Sequence, residues 1–213
     1  MLEKLNKEKE LVGIYLSAHP LDDYRLEIDH FCNVTLSQLN DLRDLNGKDI
    51  TFAGIVTTVR QGTSKNGKPY GIITIEDYTD SYKLMFFSND YVDNSKYFQA
   101  GYSLLFKGRV QSRMYNEGEL EVKVKTITML PNVREEMVKS ISLIVPVQMV
   151  TDELIMEIMQ HSDAKGAITL KFKIIDPSEN IAVDLFSRNM RMNINEGLIN
   201  YLKNTEGLEF KLN

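Results

Sequence analysis

The chain has 213 residues, of which 43% are hydrophobic and 26% charged, and its formal net charge is -5. This is the composition of an ordinary globular protein, and it excludes a disordered or collagen-like chain. No apolar run reaches the roughly 20 residues that span a bilayer, and the single cysteine excludes an internal disulfide, so we expect a cytoplasmic protein with no membrane partner.

The first 45 residues carry helical patterns. Apolar residues at helical spacing predict an amphipathic helix over residues 2–18, which ends before Pro20. A second helical piece is expected around Tyr24, and the stretch NVTLSQLND at 33–41 predicts a short capped helix. Residues 1–45 are therefore interpreted as a helical segment leading into the next domain.

At residue 50 the hydrophobic period changes to two, which is typical of β-strands. Five strands are expected, at residues 49–60, 70–77, 82–88, 103–114 and 119–130, with a short helix between the third and the fourth. This order matches the OB-fold, a five-stranded Greek-key barrel. Gly54 and Gly108 lie inside strands, where glycine marks the bends of a tight barrel. We assign the OB-fold to residues 46–131, the one segment of the three with a positive net charge, +2.

The alternation also predicts which side chains face outward. Gly71, Ile73 and Ile75 share one face of the second strand. The residues expected inside the third and fourth strands are Tyr82, Leu84, Phe86, Leu104, Phe106 and Val110. The residues expected on the outside of the second, third and fourth strands are Tyr70, Ile72, Thr74, Lys83, Met85, Phe87, Lys107, Arg109 and Arg113.

OB-folds bind oligonucleotides on strands two and three, between the loops that join strands one to two and four to five. The first loop, QGTSKNGKP at 61–69, offers Lys65 and Lys68 to phosphates, and Tyr70 beside it can stack on a base. Tyr115 in the second loop is a weaker candidate, because nearby carboxylates repel phosphate. The candidate nucleic-acid-binding residues are Arg60, Lys65, Lys68, Tyr70, Lys83, Arg109 and Arg113.

A plainer interpretation of the same residues stays open. Asn66-Gly67 is what a simple hairpin turn prefers, and two lysines in a loop also keep that loop soluble. Outward lysines and arginines on strands commonly protect sheet edges from aggregation.

Residues 132–213 predict a separate α/β domain with a strand, helix, strand, strand, helix, strand order. The first strand is SISLIVPVQ, and the first helix is TDELIMEIMQHS, capped by Thr151. The next two strands, AITLKFKIID and IAVDLFS, form a hairpin. The second helix is NEGLINYLKN, and the last strand is LEFKL. No glycine-rich phosphate loop follows the first strand. Met156 and Met159 are expected to fill the core. The whole chain is thus an α+β multidomain protein.

The residues predict no catalytic, metal or cofactor site. The three histidines are scattered, and one cysteine cannot build a zinc site of the usual kind. The carboxylate pairs Asp22-Asp23 and Glu76-Asp77 suit a helix start and a strand end. We therefore expect that this chain alone is not an enzyme.

The stretch EKELVGIYLSAHPLDDY at 8–24 is followed by GIV, Arg60, TSKNGKPYGIITIED, Phe87, Tyr91 and KGRV. Together these resemble the C-terminal portion of the bacterial DNA polymerase III alpha subunit, over almost the whole chain. One departure is Tyr70-Gly71, where that family often has Met-Ala.

The resemblance implies a fragment of a DNA-directed DNA polymerase whose palm, fingers and thumb lie earlier in the polypeptide. It implies an OB-fold that contacts single-stranded template DNA and a last domain that binds the tau subunit of the clamp loader. The family's internal sliding-clamp motif is absent from this sequence, so clamp binding is not expected.

Two functional hypotheses follow. The first is a module that binds single-stranded DNA and helps feed template to a polymerase. The second is a protein-interaction platform of the replisome, with the OB-fold only a spacer that does not bind DNA. A tRNA-binding function ranks third, because no synthetase signature accompanies the OB-fold.

Overall fold

The computed structural model describes residues 18–113, 116–161 and 166–213. The chain divides into two compact units at the Val133–Arg134 bond. A helix is expected over residues 2–18, but residues 2–17 lie outside the described residues. Among those residues, no helix is both long and apolar enough to cross a membrane.

The described part of the first unit begins with short helical elements. They are the 3-10 turn Asp22–Tyr24, helix α1 (Arg25–Phe31), and the 3-10 turns Ser37–Asn40 and Arg43–Leu45. The helical piece expected around Tyr24 is therefore confirmed.

The prediction of a short capped helix over residues 33–41 is wrong, because only the four-residue 3-10 turn Ser37–Asn40 forms there. The backbone N–H of Thr35 donates to Gln38 Oε1 at 2.8 Å, and that of Leu36 donates to Asp77 Oδ2 at 2.9 Å. One local and one tertiary hydrogen bond thus hold a segment too short to support a helix by itself.

Five antiparallel strands form the sheet of the first unit. They are β1 (Asp49–Thr63), β2 (Pro69–Glu76), β3 (Ser81–Phe87), β4 (Ser103–Arg113) and β5 (Asn116–Met129), with helix α2 (Asn89–Asn94) after β3. The strand order is β3-β2-β1-β4-β5, so that β3 and β5 are the two edges. This is a partly open barrel with its helix between the third and fourth strands, as the sequence predicts.

The core of this unit is built from the inward faces of the strands. The predicted alternation is confirmed: Ile73 and Ile75 are fully buried, as are Leu104 and Phe106. The Phe52 and Phe106 rings stack at a centroid distance of 5.2 Å at its centre. Burial of these apolar side chains contributes most of the stability of such a small barrel.

Glycines allow the close approaches that bend the sheet. A Cβ atom on Gly108 would lie 2.6 Å from the carbonyl oxygen of Lys123, and one on Gly54 would lie 3.1 Å from that of Glu76. The pairing of β4 with β5 shifts register next to Gly108. Glycine at these positions therefore permits strand contacts that a side chain would obstruct.

The second unit holds a four-stranded sheet. Helix α3 (Leu130–Met137) follows β5 and is followed by β6 (Ser140–Pro146), α4 (Asp152–Gln160), β7 (Ile168–Asp176), β8 (Ile181–Met192), α5 (Glu196–Asn204) and β9 (Glu209–Leu212). The order is β8-β7-β6-β9, with β6 and β7 parallel and the other pairs antiparallel. Thr151 caps α4 as predicted, because its side chain accepts from the backbone N–H of Leu154.

Helix α4 is less buried than its sequence indicates. Ile158 is 3% exposed, but Met156 and Met159 are 55% and 52% exposed, so the expectation that these methionines fill the core is wrong. The nine-residue helix points only part of its apolar surface at the sheet. The rest of that surface faces outward.

Candidate nucleic-acid interface

The outer surface of β1, β2 and β3 forms a regular array of side chains. Strand register places nine residues on this surface in three rows of three, which we call the platform. The rows are Gly62, Tyr70 and Phe87; Arg60, Ile72 and Met85; and Thr58, Thr74 and Lys83. Directly opposed residues of antiparallel strands share a face, and the hydroxyl of Thr58 donates to that of Thr74 at 2.8 Å, as this alignment requires.

The first row is aromatic. The Tyr70 and Phe87 rings are tilted by 38°, with their centroids 6.3 Å apart. Tyr70 extends over Gly62, since a Cβ atom there would lie 2.9 Å from the Tyr70 hydroxyl oxygen. Phe87 is 54% exposed. The row offers two neighbouring rings, each able to stack on a base.

Cations flank these rings. Arg60 and Lys83 occupy the second and third rows, and Lys65 and Lys68 lie in the loop just beyond the first. All four side chains are exposed. Within the described ranges none of them forms an ion pair, whereas several other lysines and arginines do. Their charges are therefore available to an anion.

The loop that carries Lys65 and Lys68 has a defined shape. The Ser64 N–H donates to the carbonyl of Lys68 at 2.8 Å, and the Gly67 N–H donates to the carbonyl of Ser64 at 2.9 Å. Gly67 has a φ of +73°, a conformation that glycine adopts without strain. Asn66-Gly67 thus forms the turn that this dipeptide favours, and the same loop exposes the side chains of Lys65 and Lys68.

Arg109 and Arg113 are placed differently from the other candidates. Arg113 Nη1 lies 2.8 Å from Glu119 Oε2, and its Nε lies 3.6 Å from Glu121 Oε2. Arg109 lies opposite Asp49 in the pairing of β1 with β4, with Nη1 3.8 Å from Asp49 Oδ2. The structure thus brings Arg60, Tyr70 and Lys83 together and engages the two β4 arginines with carboxylates.

Asp49 shows how the charges around Arg109 are balanced. Lys125 Nζ donates to Asp49 Oδ1 at 2.7 Å. This hydrogen bond, with the charge of Lys125 and then that of Arg109, lowers the pKa of the Asp49 carboxyl. Asp49 therefore stays ionised and competes with any phosphate for Arg109.

A groove runs between the edge strands β3 and β5. Its volume is about 170 Å³, and it is lined by Lys83, Met85 and Phe87 from β3, by Arg113 at the end of β4, by Glu121 and Lys123 from β5, and by Asp90 from α2. Lys123 forms an ion pair with Asp90. Because its β5 side carries paired charges, the groove is more neutral than the platform that it borders.

Two exposed apolar side chains of the platform, Met85 and Phe87, are missing from the candidates chosen by sequence. The alternation of β3 already places Met85 and Phe87 on the outer face, and both are about half exposed, at 47% and 54%. The signal that finds Phe87 is an outward aromatic at a strand end, but only strand register shows that it lies opposite Tyr70. Tyr115, the weaker candidate, lies outside the described residues.

The platform combines aromatic rings with cationic side chains. Within the described ranges, no three His, Cys, Asp or Glu side chains converge to hold a metal ion. Flat rings beside flexible cations suit the bases and phosphates of a single strand.

Two family models match the chain. Residues 141–213 match the DNA polymerase III alpha subunit, C-terminal domain, and residues 50–130 match the OB-fold nucleic acid binding domain. The second match confirms the OB-fold predicted from the strand pattern.

Curated relatives agree with these matches. The chain is 23% identical over 207 residues to the DNA polymerase III subunit alpha of Escherichia coli K12, which covers 96% of this chain and 18% of the relative. It is 27% identical over 141 residues to the DNA polymerase III subunit alpha of Pseudomonas fluorescens, a match that covers 66% of this chain and 12% of the relative. The chain therefore spans less than a fifth of the length of these relatives. The predicted resemblance is confirmed, and the chain is similar to the C-terminal region of that subunit.

Solved structures give weak matches. An asparaginyl-tRNA synthetase from Pyrococcus horikoshii is 19% identical with a TM-score of 0.33, over 48% of this chain and 23% of that one. The mitochondrial single-stranded DNA binding protein Rim1 of Saccharomyces cerevisiae is 16% identical with a TM-score of 0.30, over 39% and 94%.

Proposed function

We propose that this chain, as the C-terminal region of a replicative DNA polymerase alpha subunit, binds single-stranded template DNA on its OB-fold and docks the clamp-loader tau subunit with its last domain. We take the domains to be residues 46–131 and 132–213, with residues 1–45 leading into the first. The protein acts in DNA replication in the cytoplasm. One observation carries the DNA-binding function: on the platform, the exposed Phe87 ring and the partly buried Tyr70 ring lie beside cations that form no ion pair with any described residue.

Binding to the platform is explained by two separable contributions. Stacking of a base on one ring is worth about 1–3 kcal/mol and tolerates any sequence. Each phosphate neutralised by a cation contributes about -0.7 to the slope of log K against log salt. Rows on a sheet lie about 7 Å apart along the strands, so cations one and two rows from the rings lie within reach of the phosphates of a stacked dinucleotide.

The test is fluorescence anisotropy of a labelled single strand of about 20 bases, titrated with the full chain at several salt concentrations. The double variant Lys65→Ala/Lys68→Ala is compared with the control Lys48→Ala. Lys48 is exposed and immediately precedes the first residue of β1, at the opposite end of that strand from the loop with Lys65 and Lys68. We expect salt-dependent binding that weakens in the double variant and not in Lys48→Ala. No binding by the parent chain at low salt would leave the OB-fold a spacer, the alternative hypothesis.

The docking function is favoured by an apolar groove in the second unit. The groove has a volume of about 400 Å³ and lies between α4 and the covered face of β7 and β8. Its lining includes Leu154, Ile158, Phe172, Ile174 and Leu185.

The rim of the groove exposes apolar side chains: Ile155 and Leu185 line it, and Val183 lies opposite the lining residue Ile174 in the pairing of β7 with β8. Each of the three is 47–51% exposed. β8 is also an edge strand of its sheet. A clustered apolar surface at a sheet edge is typical of protein–protein contacts. This apolar surface supports the proposal that the last domain docks tau.

The test is isothermal titration calorimetry with purified tau. Val183→Asp places a charge on the rim at an exposed position, so we expect weaker tau binding with little loss of fold. Single-stranded DNA binding is expected to stay unchanged in this variant. Equal tau affinity of the variant and the parent chain would exclude the groove as the docking site.

A further inference from the structure

The four-stranded sheet of the second unit has one face that α4 covers and one open face. Ile141, Leu143 and Leu170 lie on the covered face and are fully buried. The opposite set of side chains forms what we call the open face. Strand register aligns one row across all four strands of that face, namely Lys211, Ser142, Lys171 and Phe186.

Positive charge concentrates on the open face. It carries four of the nine Lys and Arg residues of segment 132–213, and these are Lys171, Lys173, Arg191 and Lys211. In the part of the chain that the structure describes, none of the four forms an ion pair. Asp184 and Glu209 share the face, yet the cations outnumber them. The segment as a whole has a net charge of -3, so this face differs in sign from its unit.

An exposed aromatic completes the row. Phe186 is 65% exposed and lies opposite Lys171 in the pairing of β7 with β8. Opposed residues of a sheet have Cβ atoms about 5 Å apart. Lys211 lies two strands further on, at about 10 Å from Lys171. A shallow depression on this face is lined by Ser142, Lys171, Phe186 and Lys211 among others.

We propose that the open face is a second binding site for single-stranded nucleic acid, separate from the platform. Phe186 stacks on a base, and Lys171 and Lys211 contact the phosphates that follow it along the row. The hydroxyl of Ser142, between the two lysines, already accepts a hydrogen bond from the Asn213 side chain at 3.1 Å. The contacts involve no base edge, so the site has no sequence preference.

A nucleic acid fits this surface better than an acidic peptide does. Both ligands satisfy the lysines, but a nucleic acid carries beside every phosphate a base that can stack on the ring of Phe186, whereas an acidic peptide does so only where it has an aromatic residue. Asp184 and Glu209 lie at the two ends of the neighbouring row, with Lys173 and Ile144 between them. That row is less favourable to an anion than the row of Lys211, Lys171 and Phe186, which holds two cations and no carboxylate.

The test compares three variants of the full chain on a labelled oligo-dT of about 30 bases, long enough for two sites. Lys171→Ala/Lys211→Ala removes two cations of the open face, and Lys203→Ala on α5 is the control for charge loss. Arg60→Ala/Lys83→Ala disables the platform. Circular dichroism checks that each variant is folded.

We expect the Lys171→Ala/Lys211→Ala variant to lower the salt slope by about 1.4, two phosphate contacts at about 0.7 each, while Lys203→Ala has no effect. If only the Lys171→Ala/Lys211→Ala variant loses affinity for oligo-dT, the result supports the open face as a site and contradicts the platform. If only the Arg60→Ala/Lys83→Ala variant loses affinity, the result overturns the open-face site. Losses in both support both sites. If the open-face variant binds oligo-dT normally but loses binding to poly-glutamate, the face is a peptide site and our inference is wrong.

Discussion

Replacing Phe87 with alanine separates base stacking from charge attraction. The ring is 54% exposed, and its aromatic neighbour on the platform is Tyr70, at a centroid distance of 6.3 Å. Full burial of such a side chain is worth about 1.5–3 kcal/mol, so removing a half-exposed ring costs about 1.5 kcal/mol of stability at most. The variant is expected to fold.

The loss in DNA affinity is expected to be larger. If one base stacks on Phe87, its removal costs about 1–3 kcal/mol of binding free energy, or about 5- to 150-fold in Kd. The salt slope is expected to stay unchanged, since no charge is removed. Lys83→Ala, by contrast, is expected to lower the slope by about 0.7.

Anisotropy titrations of a single-stranded oligonucleotide at several salt concentrations measure both quantities. Phe87→Leu serves as the control, because it keeps apolar volume and removes the flat ring. A folded Phe87→Ala protein whose Kd stays within about twofold of the parent would refute stacking at this position. A binding loss in Phe87→Ala that Phe87→Leu restores would indicate apolar contact instead of stacking.

Three further predictions concern single residues. Gly62→Ala is expected to displace the Tyr70 ring, whose Cζ lies 3.1 Å from the added Cβ position; DNA titration should show weaker binding, and unchanged Kd would exclude a role for that ring. Gly71→Ala places a Cβ in steric overlap with Phe98 Cε1 and 2.6 Å from Tyr91 Cδ2, so urea denaturation should show a loss of about 1–3 kcal/mol in the free energy of unfolding; full stability would contradict the close packing. Burial, and then the charge of nearby carboxylates, raises the pKa of the Cys32 thiol to about 12, so iodoacetamide should alkylate it slowly at pH 9 in the folded protein and rapidly in urea; equal rates would contradict the burial.

Part of the platform could be predicted from local sequence alone. Strand side chains alternate between two faces with a period of two, so the pattern around Tyr70 and Phe87 indicates which of them face outward. The loop with Lys65 and Lys68 is likewise local, because Asn66-Gly67 favours a turn wherever it lies between two strands.

Pairing between strands could not be predicted in the same way. Whether Phe87 lies beside Tyr70 depends on the register of β3 against β2, and a shift of one residue would move every side chain to the other face. Arg113 illustrates the same limit for charge. It appears as an outward cation in its own strand, but pairing with β5 brings Glu119 to 2.8 Å from it.

The sequence by itself determined the five-stranded barrel, the α/β unit after it and the family resemblance, because hydrophobic period and turn chemistry are written in neighbouring residues. Only the tertiary structure decided which cations are unpaired, that Met156 and Met159 are exposed, and that Lys171, Lys211 and Phe186 share a row. These properties depend on residues distant in the chain, whose contacts follow from strand register and from how much of each helix the sheet can cover.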